Sequence, residues 1–499
     1  MMSNTNTNSI SLSLVSAHEF GITAKKDTEH SDWYHQVVIK SNMIEYSDVA
    51  GCYVLLPYSY SMWEFLQSFL NSELKNRNVK NTYFPLFATR RNLEKEKEHI
   101  EGFEPEVAWV TKVGSTQIEE PIAIRPTSET IIYPTFARLI RSHSDLPLKF
   151  NQWCNVVRWE FKDTIPFIRS REFLWQEGHT AHESEKNALT EVMDIISLYK
   201  DVYESQLAVP VILGKKTEKE KFAGALCTYT IESITPVNGK GIQCATAHCL
   251  GQHFSKMFDI KFQTLDGIQD NVWQNSWGFT TRSIGVMVMT HADDAGLVLP
   301  PTIAPTQIVI IPIYNKTNKD AVLTYVQELF NTLRNQFRVE LDITDHRPGW
   351  KYNYWEKLGV PLRIEVGPRD LTTKKLTIVK RHNSAKSEIT SELFTTDYVN
   401  NLLKLIQTEM FEKAKNIQSK HLSYPNSIDE FIQRIENNCT CSILWCGDEN
   451  CEINIKEKTG AKSLCMPTDF AYKLQIQETD ICVNCAKKAI VTCLFGKSY

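Results

Sequence analysis

The chain has 499 residues, enough for several domains, and its 42% hydrophobic content supports buried cores without approaching that of a membrane protein. No apolar run nears the roughly 18 residues that span a bilayer, and a formal net charge of −4 means that any contact with RNA must come from local basic patches. The first 24 residues contain no Lys or Arg, which argues against a secretory or mitochondrial leader and predicts a cytoplasmic protein.

Five segments follow one another along the chain. Residues 1–17 are polar and low in complexity, which predicts a disordered tail. Residues 18–301 mix helical and strand patterns, as expected of an α+β domain with an antiparallel sheet. Buried-strand runs alternate with helical patterns at 305–405, which is typical of a small α/β domain. A helical linker is predicted at 406–435, and a Cys-rich domain follows at 436–499.

The most informative stretch is VVRWEFKDTIPFIRSREFLWQEGHTAH at 156–182. It predicts a β-hairpin with strands at 156–161 and 167–179, joined by a polar, Pro-containing connection. Side chains two residues apart share a strand face, so Arg158 and Glu160 are expected to point together. The same rule groups several residues on the second strand, namely Arg169, Arg171, Phe173, Trp175, Glu177 and His179.

Such a strand face suits a nucleoside triphosphate better than a protein core. Guanidinium groups grip phosphates bidentately, and a carboxylate can hold the Mg²⁺ that neutralises them. Aromatic rings beside these groups can stack on a base or wall a small apolar pocket. For any single arginine the alternative is a salt-bridged edge hairpin, because charged residues are mostly solvated. The alternation of Trp, Phe and His with paired charges favours the binding site.

Cysteines concentrate near the end of the sequence, where eight of the thirteen lie at 439–493. Without a predicted signal peptide, this clustering indicates reduced thiols or a metal rather than disulfides. Two short-spaced pairs suit one tetrahedral, structural Zn²⁺ held by Cys446, Cys451, Cys482 and Cys485. Cys465 is an alternative ligand, and no role is assigned to Cys439, Cys441 and Cys493.

The hairpin resembles motif 2 of class II aminoacyl-tRNA synthetases, and its wording, VVRWEF and REFLWQEGH, resembles the prolyl-tRNA synthetases of eukaryotic and archaeal type. GCYVLLPYSYSMWE at 51–64 is similar to motif 1 of that family, and EPIAIRPTSETIIYP at 120–134 to its proline loop. NSWGFTTRSIGVMVMTH at 275–291 is similar to motif 3. PGWKYNYWEKLGVPLRIEVGPRDL at 348–371 resembles the anticodon-binding domain, and LFGKSY at 494–499 resembles the family's terminus.

Two other hypotheses stay open on the sequence alone. A seryl or threonyl enzyme would share the ATP-binding arginines but not the RPTSE and WQEGH motifs. A non-catalytic paralogue that binds RNA would lose these groups, whereas Arg158, Glu160, Arg169 and Arg282 are all present. The resemblance implies ATP-dependent activation of L-proline to prolyl-adenylate and transfer of the prolyl group to the terminal ribose hydroxyl of the proline tRNA.

The resemblance implies a proline pocket made of Thr127, Glu129, Arg158, Trp175, His179 and His248. In this pocket Thr127 and Glu129 bind the secondary amine, while Arg158 meets the carboxylate. A desolvated carboxylate at the right distance discriminates strongly against substrates that cannot match it. Taken alone, Pro126 and Glu129 would simply start a helix, and a lone histidine such as His248 would be a structural residue.

The resemblance also implies an ATP site, to which the hairpin, the segment at 241–256 and motif 3 contribute Arg158, Glu160, Arg169, Ser170, Phe173, Gln243, Thr246, Thr280 and Arg282. Within it, Glu160 and Gln243 are implied as Mg²⁺ ligands. Arg158, Glu160 and Arg282 are the implied catalytic residues, because they act on the charge that develops at the α-phosphate.

Recognition of the anticodon is expected in the 305–405 domain. Arg363 and Glu365 share a strand face and Arg369 lies in the following turn, where such groups can bond to unstacked bases. Each could equally be a solvated charge. The KKTEKEK run that begins at Lys215 is expected to be a solvated helix start rather than an RNA patch, because its charges nearly balance.

Motif 1 implies a homodimer, and the spacing of motifs 2 and 3 bears on accuracy. Many bacterial prolyl enzymes carry an editing domain between these motifs. Here 123 residues separate Arg158 from Arg282, and most of them match core segments such as KTEKEKFAG and GIQCATAHCLGQ. We therefore expect no inserted editing domain, and clearance of mischarged alanine by a separate trans-editing protein.

Overall fold

The computed structural model of the chain describes residues 21–99, 107–159 and 162–499. The tail predicted at 1–17 and the predicted site residue Glu160 lie outside the described residues. Within the described part, none of the helices combines the length and the apolar character needed to cross a membrane.

The N-terminal region is an α+β domain built on an antiparallel sheet, as predicted. In chain order its elements are α1 (His30–Lys40), β1 (Ile44–Tyr46), β2 (Tyr53–Leu55), α2 (Pro57–Asn76), β3 (Lys80–Asn81), β4 (Phe87–Thr89), α3 (Arg90–His99), β5 (Trp109–Val113), β6 (Thr116–Ile124), α4 (Glu129–Leu139), β7 (Leu148–Val157), β8 (Glu172–His182), α5 (Glu185–Asp201), β9 (Ile212–Lys215), β10 (Cys227–Ile234), β11 (Gly241–Gly251), α6 (His253–Met257), β12 (Lys261–Gln263), β13 (Gln269–Asn271), β14 (Trp273–Thr280) and α7 (Arg282–His291). The sheet order β9-β10-β11-β14-β8-β7 is antiparallel throughout, and β3 adds a short parallel edge.

Helix α5 shows why one face of this sheet is closed. The Ser184 hydroxyl caps the helix by accepting from Asn187 N. One apolar stripe of α5 is buried, with Val192, Ile195 and Tyr199 at helical spacing, and the helix packs on β11 and β14. The opposite face of the sheet is therefore the one that can carry a site.

The second region has the predicted α/β order. Its elements are β15 (Ile308–Pro312), α8 (Lys319–Leu333), β16 (Val339–Leu341), α9 (Pro348–Lys357), β17 (Leu362–Val366), α10 (Pro368–Thr373), β18 (Lys375–Lys380), β19 (Lys386–Thr390) and α11 (Thr396–Lys420). Strands β16, β15 and β17 are parallel, whereas β18 and β19 continue the sheet antiparallel. Helix α11 runs on to Lys420, so the linker predicted at 406–435 begins inside this helix.

The C-terminal region consists of β20 (Leu422–Ser423), α12 (Ile428–Glu436), β21 (Thr440–Trp445), α13 (Glu449–Thr459), β22 (Lys462–Pro467) and β23 (Val491–Gly496). Its strands are not a separate sheet. Strand β22 pairs with β9 through Met466 opposite Lys215 and Pro467 opposite Gly214, which makes one sheet of eleven strands. The Cys-rich region is thus fused to the sheet of the N-terminal region.

Candidate active site

Strands β7 and β8 form the predicted hairpin, but its strands have other limits. Strand β7 ends at Val157, which pairs with Glu172 at the start of β8. Between them, a tight turn bridges Ile165 to Arg169, with Phe167 at a φ of 64°. This turn takes Arg169 and Arg171 out of the extended pattern, so their predicted place on the β8 face was wrong.

The residues that do alternate on β8 line a cavity of about 290 Å³ on the open face of the sheet. The cavity brings together predicted site residues from five parts of the chain, namely Thr127, Glu129, Arg158, Ser170, Phe173, Trp175, His179, Gln243, Thr246, His248, Thr280 and Arg282. Arg169 lines a neighbouring cavity that shares Gln243 and Arg282 with this one. Arg171 points elsewhere and donates to Ala50 O at 2.9 Å.

At one end of the cavity, an acid and a hydroxyl lie beside an arginine. Glu129 is the first residue of α4, so it starts a helix and lines the cavity at once. The Thr127 hydroxyl donates to its carboxylate. Arg158 donates from Nε to Pro126 O at 3.0 Å, and its guanidinium lies 5.4 Å from the ring centroid of Trp175. This end offers both signs of charge to a zwitterionic ligand.

A buried ion pair supports the cavity floor. The carboxylate of Glu177 lies 2.9 Å from His179 Nε2, while Ser128 and Gln152 donate to its other oxygen. Burial alone would lower the pKa of His179, but the hydrogen bond and charge of Glu177 outweigh it and raise the pKa. Burial would likewise raise the pKa of Glu177, and the bond to His179 reverses this and lowers it. Glu177 therefore favours the protonated form of His179.

His248 has the opposite electrostatic state. Burial lowers its pKa to about 3, and the positive charges of His179 and Arg158 add to the effect. Its Nδ1 lies 2.9 Å from Thr228 Oγ1 and its Nε2 lies 3.1 Å from Thr246 Oγ1. A neutral imidazole has one donor and one acceptor nitrogen, so two hydroxyls satisfy it fully.

Arg282 lines the cavity from the start of α7. It is the first residue of α7, and its backbone N–H donates to Thr280 Oγ1 at 3.1 Å. Its guanidinium donates to Ile168 O and to Gln243 O, each at 3.1 Å. Motif 3 is thereby tied both to the hairpin connection and to β11.

The sequence analysis did not assign several residues that line the cavity, among them Glu220, Phe222, Thr228 and Ser276. Thr228 and Ser276 sit opposite His248 and His179 in the strand register, which no short-range pattern reveals. The KKTEKEK run was wrongly expected to start a solvated helix. Lys216 is buried and pairs with Glu232 at 2.8 Å, and the residues after it form turns.

The three residues predicted for the anticodon do not form one cluster. Arg363 and Glu365 do share a face of β17, where the Arg363 guanidinium lies 3.0 Å from Glu365 Oε1 and 4.4 Å from the ring centroid of Tyr352. Lys386 binds the second oxygen of Glu365 at 2.9 Å. Arg369 is exposed and lies in α10 rather than in a turn.

The four predicted metal ligands do meet. The sulfur atoms of Cys446, Cys451, Cys482 and Cys485 all lie within 4.8 Å of one another. The Cys451–Cys482 and Cys446–Cys485 pairs are 3.7 and 3.5 Å apart. Thiolates bound to Zn²⁺ at about 2.3 Å in a tetrahedron are separated by about 3.8 Å, so this donor set fits the ion. Cys465 is outside the cluster, on β22.

Three family models match successive parts of the chain. The core domain of class II tRNA synthetases for G, H, P, S and T matches residues 111–291. The anticodon-binding domain matches 307–397, and the C-terminal domain of prolyl-tRNA synthetase matches 428–499. Together with the antiparallel sheet and its cavity of arginines, these matches define a class II aminoacyl-tRNA synthetase.

Individual relatives narrow the class to one specificity. The cytoplasmic proline–tRNA ligase of Arabidopsis thaliana is 48% identical over 96% of this chain and 91% of its own length. The proline–tRNA ligase of Encephalitozoon cuniculi is 43% identical over 96% and 99%. A crystal structure of prolyl-tRNA synthetase from Cryptosporidium parvum, complexed with halofuginone and AMPPNP, has a TM-score of 0.91 and 47% identity over 96% and 97%. The chain belongs to the prolyl-tRNA synthetase family.

Proposed function

We propose that the chain joins L-proline to the terminal ribose hydroxyl of the proline tRNA, by way of prolyl-adenylate, in the cavity on the open face of the catalytic sheet. One observation carries the proposal. A single cavity combines an acid and a hydroxyl, Glu129 and Thr127, with Arg158 and Arg282. This set matches the amine and the carboxylate of proline and the phosphates of ATP.

The proline end is proposed to work by charge complementarity. Thr127 and Glu129 receive the secondary amine, and Arg158 receives the carboxylate. Trp175, His179 and His248 surround the ring of proline. This placement fits the opposite pKa shifts of the two histidines. Any charge on His179 is balanced by Glu177, while His248, with its pKa lowered to about 3, adds no positive charge that would repel the amine.

The ATP end is proposed to hold the triphosphate between two arginines, Arg158 and Arg282, with Phe173 beside the base. Further contacts are assigned to Arg169, Ser170, Gln243, Thr246 and Thr280. ATP is used by class II cores as its Mg²⁺ complex, and the ion neutralises the phosphate charge. Gln243 is the described residue assigned to hold it, together with Glu160.

Activation requires no protein nucleophile. The proline carboxylate attacks the α-phosphorus in line, and pyrophosphate leaves. Arg158 contacts both reacting groups, so it aligns them and stabilises the charge that develops. The terminal ribose hydroxyl of the tRNA then attacks the prolyl carbonyl and releases AMP.

Arg363, Glu365 and Arg369 are proposed to contact the anticodon.

The Cys446 cluster is proposed to hold one structural Zn²⁺ per chain, because a closed set of four thiolates leaves no position for catalysis. Metal analysis of the purified protein is expected to find about one zinc per chain, and Cys482→Ser should lower both zinc content and melting temperature. A protein without zinc that melts normally and is fully active would make these cysteines ordinary core residues.

A homodimer formed through motif 1 is also proposed. Tyr46, Val54 and Tyr60, on β1, β2 and α2, expose about half of their surface in the single chain. Exposed apolar side chains on this hairpin and on the adjoining helix suit burial against a second copy. Light scattering at micromolar concentration should give the dimer mass, and Val54→Glu should shift it to the monomer. A monomeric wild type that retains activity would refute the proposal.

The cytoplasm is the proposed compartment, by analogy with the Arabidopsis relative named cytoplasmic. Fractionation of cells that express the full chain should recover it with cytosolic markers. Recovery with an organelle would contradict this assignment.

The enzyme is proposed to lack an editing site of its own. The described residues between Arg158 and Arg282 form β8 to β14 with α5, α6 and their connections. A proline pocket cannot strongly exclude the smaller alanine, because missing methylene groups are worth only about 1–3 kcal/mol each. Preformed alanyl-tRNA with the proline anticodon should decay no faster with the enzyme than in buffer. Accelerated hydrolysis would refute the need for a trans-editing partner.

Pyrophosphate exchange with each amino acid in turn tests the central proposal. Proline alone should support rapid exchange. Robust exchange with threonine or serine and none with proline would contradict the assignment of Thr127, Glu129 and His248.

A further inference from the structure

The loop at residues 216–222, between β9 and β10, forms one wall of the catalytic cavity. Glu220 and Phe222 line the cavity, and the Phe222 ring lies 4.7 Å from the His248 ring, centroid to centroid. The backbone N–H of Phe222 donates to Thr228 Oγ1 at 3.0 Å, the same oxygen that lies 2.9 Å from His248 Nδ1. A shift of this loop would therefore move the Phe222 ring away from His248 and break the bond from Phe222 N–H to Thr228.

Thr217 organises this loop from a buried position. Its carbonyl oxygen accepts from the backbone N–H groups of Glu220 and Lys221 at 3.2 and 3.0 Å. Its hydroxyl oxygen accepts from Glu220 N at 3.3 Å. The preceding residue, Lys216, is fixed separately by donating from Nζ to Leu464 O at 2.7 Å. The position of Thr217 thus sets the position of Glu220.

The partner that holds Thr217 belongs to the C-terminal region. The Thr217 hydroxyl donates to Glu452 Oε1 at 3.3 Å, and the Ser463 hydroxyl donates to the same oxygen at 2.6 Å. All three side chains are buried, with Glu452 on α13 and Ser463 on β22. The Thr217 hydroxyl also lies 3.3 Å from the Ser463 hydroxyl, so Glu452 Oε1 joins both hydroxyls in one buried network. A buried polar group that loses a partner keeps the cost of its desolvation, so this network holds Thr217 in place.

We propose that Glu452 is a positioning residue for the proline pocket: it fixes Thr217, and the Thr217 turn holds Glu220 and Phe222 against the cavity. Glu452 is not among the residues that line the cavity, so it affects the pocket through the residues that it holds in place. The inference rests on the proposed function, because it presupposes that this cavity binds proline. It gives the C-terminal region a part in substrate binding that is separate from any contact with substrate.

The test is the kinetics of pyrophosphate exchange by full-length Glu452→Ala, Glu452→Gln and Thr217→Val. Glu452→Ala and Thr217→Val should each raise the KM for proline by about five- to tenfold, the order expected for one lost buried hydrogen bond. The kcat and the KM for ATP should stay within about twofold, because a loosened wall weakens ground-state and transition-state binding alike. Glu452→Gln should behave as wild type, because an amide oxygen also accepts from both hydroxyls.

Ser442→Ala is the matched control in the same region. The Ser442 hydroxyl is buried on β21 and donates to Tyr472 O at 2.9 Å, away from the loop. It should lower the melting temperature without changing the KM for proline. An unchanged KM in Glu452→Ala, an equal rise in Ser442→Ala, or no rescue by Glu452→Gln would each overturn the inference.

Folding and function are kept apart by two further readings. Thr217→Val leaves the C-terminal region intact, so it decides the question if Glu452→Ala does not fold. A wild type without proline-dependent exchange would contradict the proposed function itself, whereas an active wild type with an unaffected Thr217→Val contradicts only the positioning role.

Discussion

The catalytic sheet and the sheet of the anticodon-binding region use their buried positions in different ways. In the catalytic sheet the buried residues beside the cavity include charges, such as the ion pair of Glu177 and His179. In the second sheet, strand β15 buries only Ile308, Val309, Ile310, Ile311 and a proline. The Arg363–Glu365 pair lies on the face of β17 opposite to that of Leu362 and Ile364.

The buried apolar residues of β15 stabilise the fold, whereas the buried charged residues beside the cavity serve the chemistry. Burying apolar surface is favourable at about 25 cal/mol per Å², so β15 contributes directly to stability. A buried ion pair roughly breaks even against its desolvation, so Glu177 and His179 add little stability for their position. Substitutions around the cavity should therefore change catalysis more than stability, and substitutions in β15 should do the reverse.

The largest effect is expected for Arg158→Ala. Removing this guanidinium should lower the rate of proline-dependent exchange at least about 100-fold, or roughly 3 kcal/mol, as for a removed oxyanion donor. The melting temperature should change little, because the side chain is only partly buried. Arg171→Ala is the control, since Arg171 bonds to Ala50 O outside the cavity and should keep most activity. Near-normal exchange by Arg158→Ala would contradict the cavity assignment.

The next effect concerns the junction between the two regions. Arg381 donates to both oxygens of Asp293, at 2.7 and 2.6 Å, just beyond the end of α7. Arg381→Ala should lower the free energy of unfolding by about 1.5–2 kcal/mol, the low end for charged hydrogen bonds because Asp293 is half exposed. Exchange should persist, since neither residue lines the cavity.

An exposed pair provides the comparison for this measurement by chemical denaturation. Lys375 and Glu388 are 3.2 Å apart on the second sheet and both are solvent-exposed. Lys375→Ala should change the free energy of unfolding by less than about 0.5 kcal/mol. An equal loss in both variants would mean that Arg381 does not join the regions in any special way.

The pH dependence of stability should reveal the buried pair of the cavity. His179 has a folded pKa above 6.5, so its contribution is full below pH 6.5 and is lost as pH rises through that folded pKa. Glu177 has a folded pKa below 4.5, so its contribution is full above pH 4.5 and is lost as pH falls. The stability difference between wild type and His179→Gln should therefore be largest between pH 4.5 and 6.5, with slopes of at most about 1.4 kcal/mol per pH unit.

His248 should show the opposite trend in the same denaturation series. Its folded pKa is lowered to about 3, so below pH 6.5 the unfolded chain takes up a proton that the folded chain does not. Wild type should lose stability relative to His248→Gln as pH falls from 6.5 towards 3. Parallel pH profiles for His179→Gln and His248→Gln would contradict the opposite pKa shifts of the two histidines.

The two regions also differ in how much of their structure could be predicted from the sequence. In the second sheet, runs such as IVIIPI and PLRIEVG are apolar enough to define strands, and the observed strands begin at Ile308 and Leu362 within them. The four clustered cysteines were found by spacing alone. Both patterns lie within short stretches of sequence, and such patterns predict the structure without knowledge of distant contacts.

The features that were missed depend on contacts between distant segments. The hairpin is a local exception, because β8 begins at Glu172 and not at Phe167, and the residues before it form a turn with Phe167 at positive φ. Lys216 is buried only because Glu232 and Leu464 meet it from other strands. The fusion of the C-terminal strands to β9 likewise depends on pairing across about 250 residues, from Lys215 to Met466. No pattern within a short window contains that information.

The smallest effect is expected for Ile310→Val, which tests whether the core of the second sheet can be changed without affecting catalysis. Ile310 is fully buried on β15, between Leu341 and Ile364 of its neighbours, so the lost methylene should lower the free energy of unfolding by about 1 kcal/mol. Ile343→Val removes the same group from an exposed side chain and should change it by less than about 0.5 kcal/mol. Proline-dependent exchange should be unchanged in both variants, because their sheet contributes apolar burial and no group to the cavity. If exchange fell with stability in Ile310→Val but not in Ile343→Val, the core of the second sheet would be coupled to the catalytic cavity, and the separation between stabilising and catalytic positions would not hold.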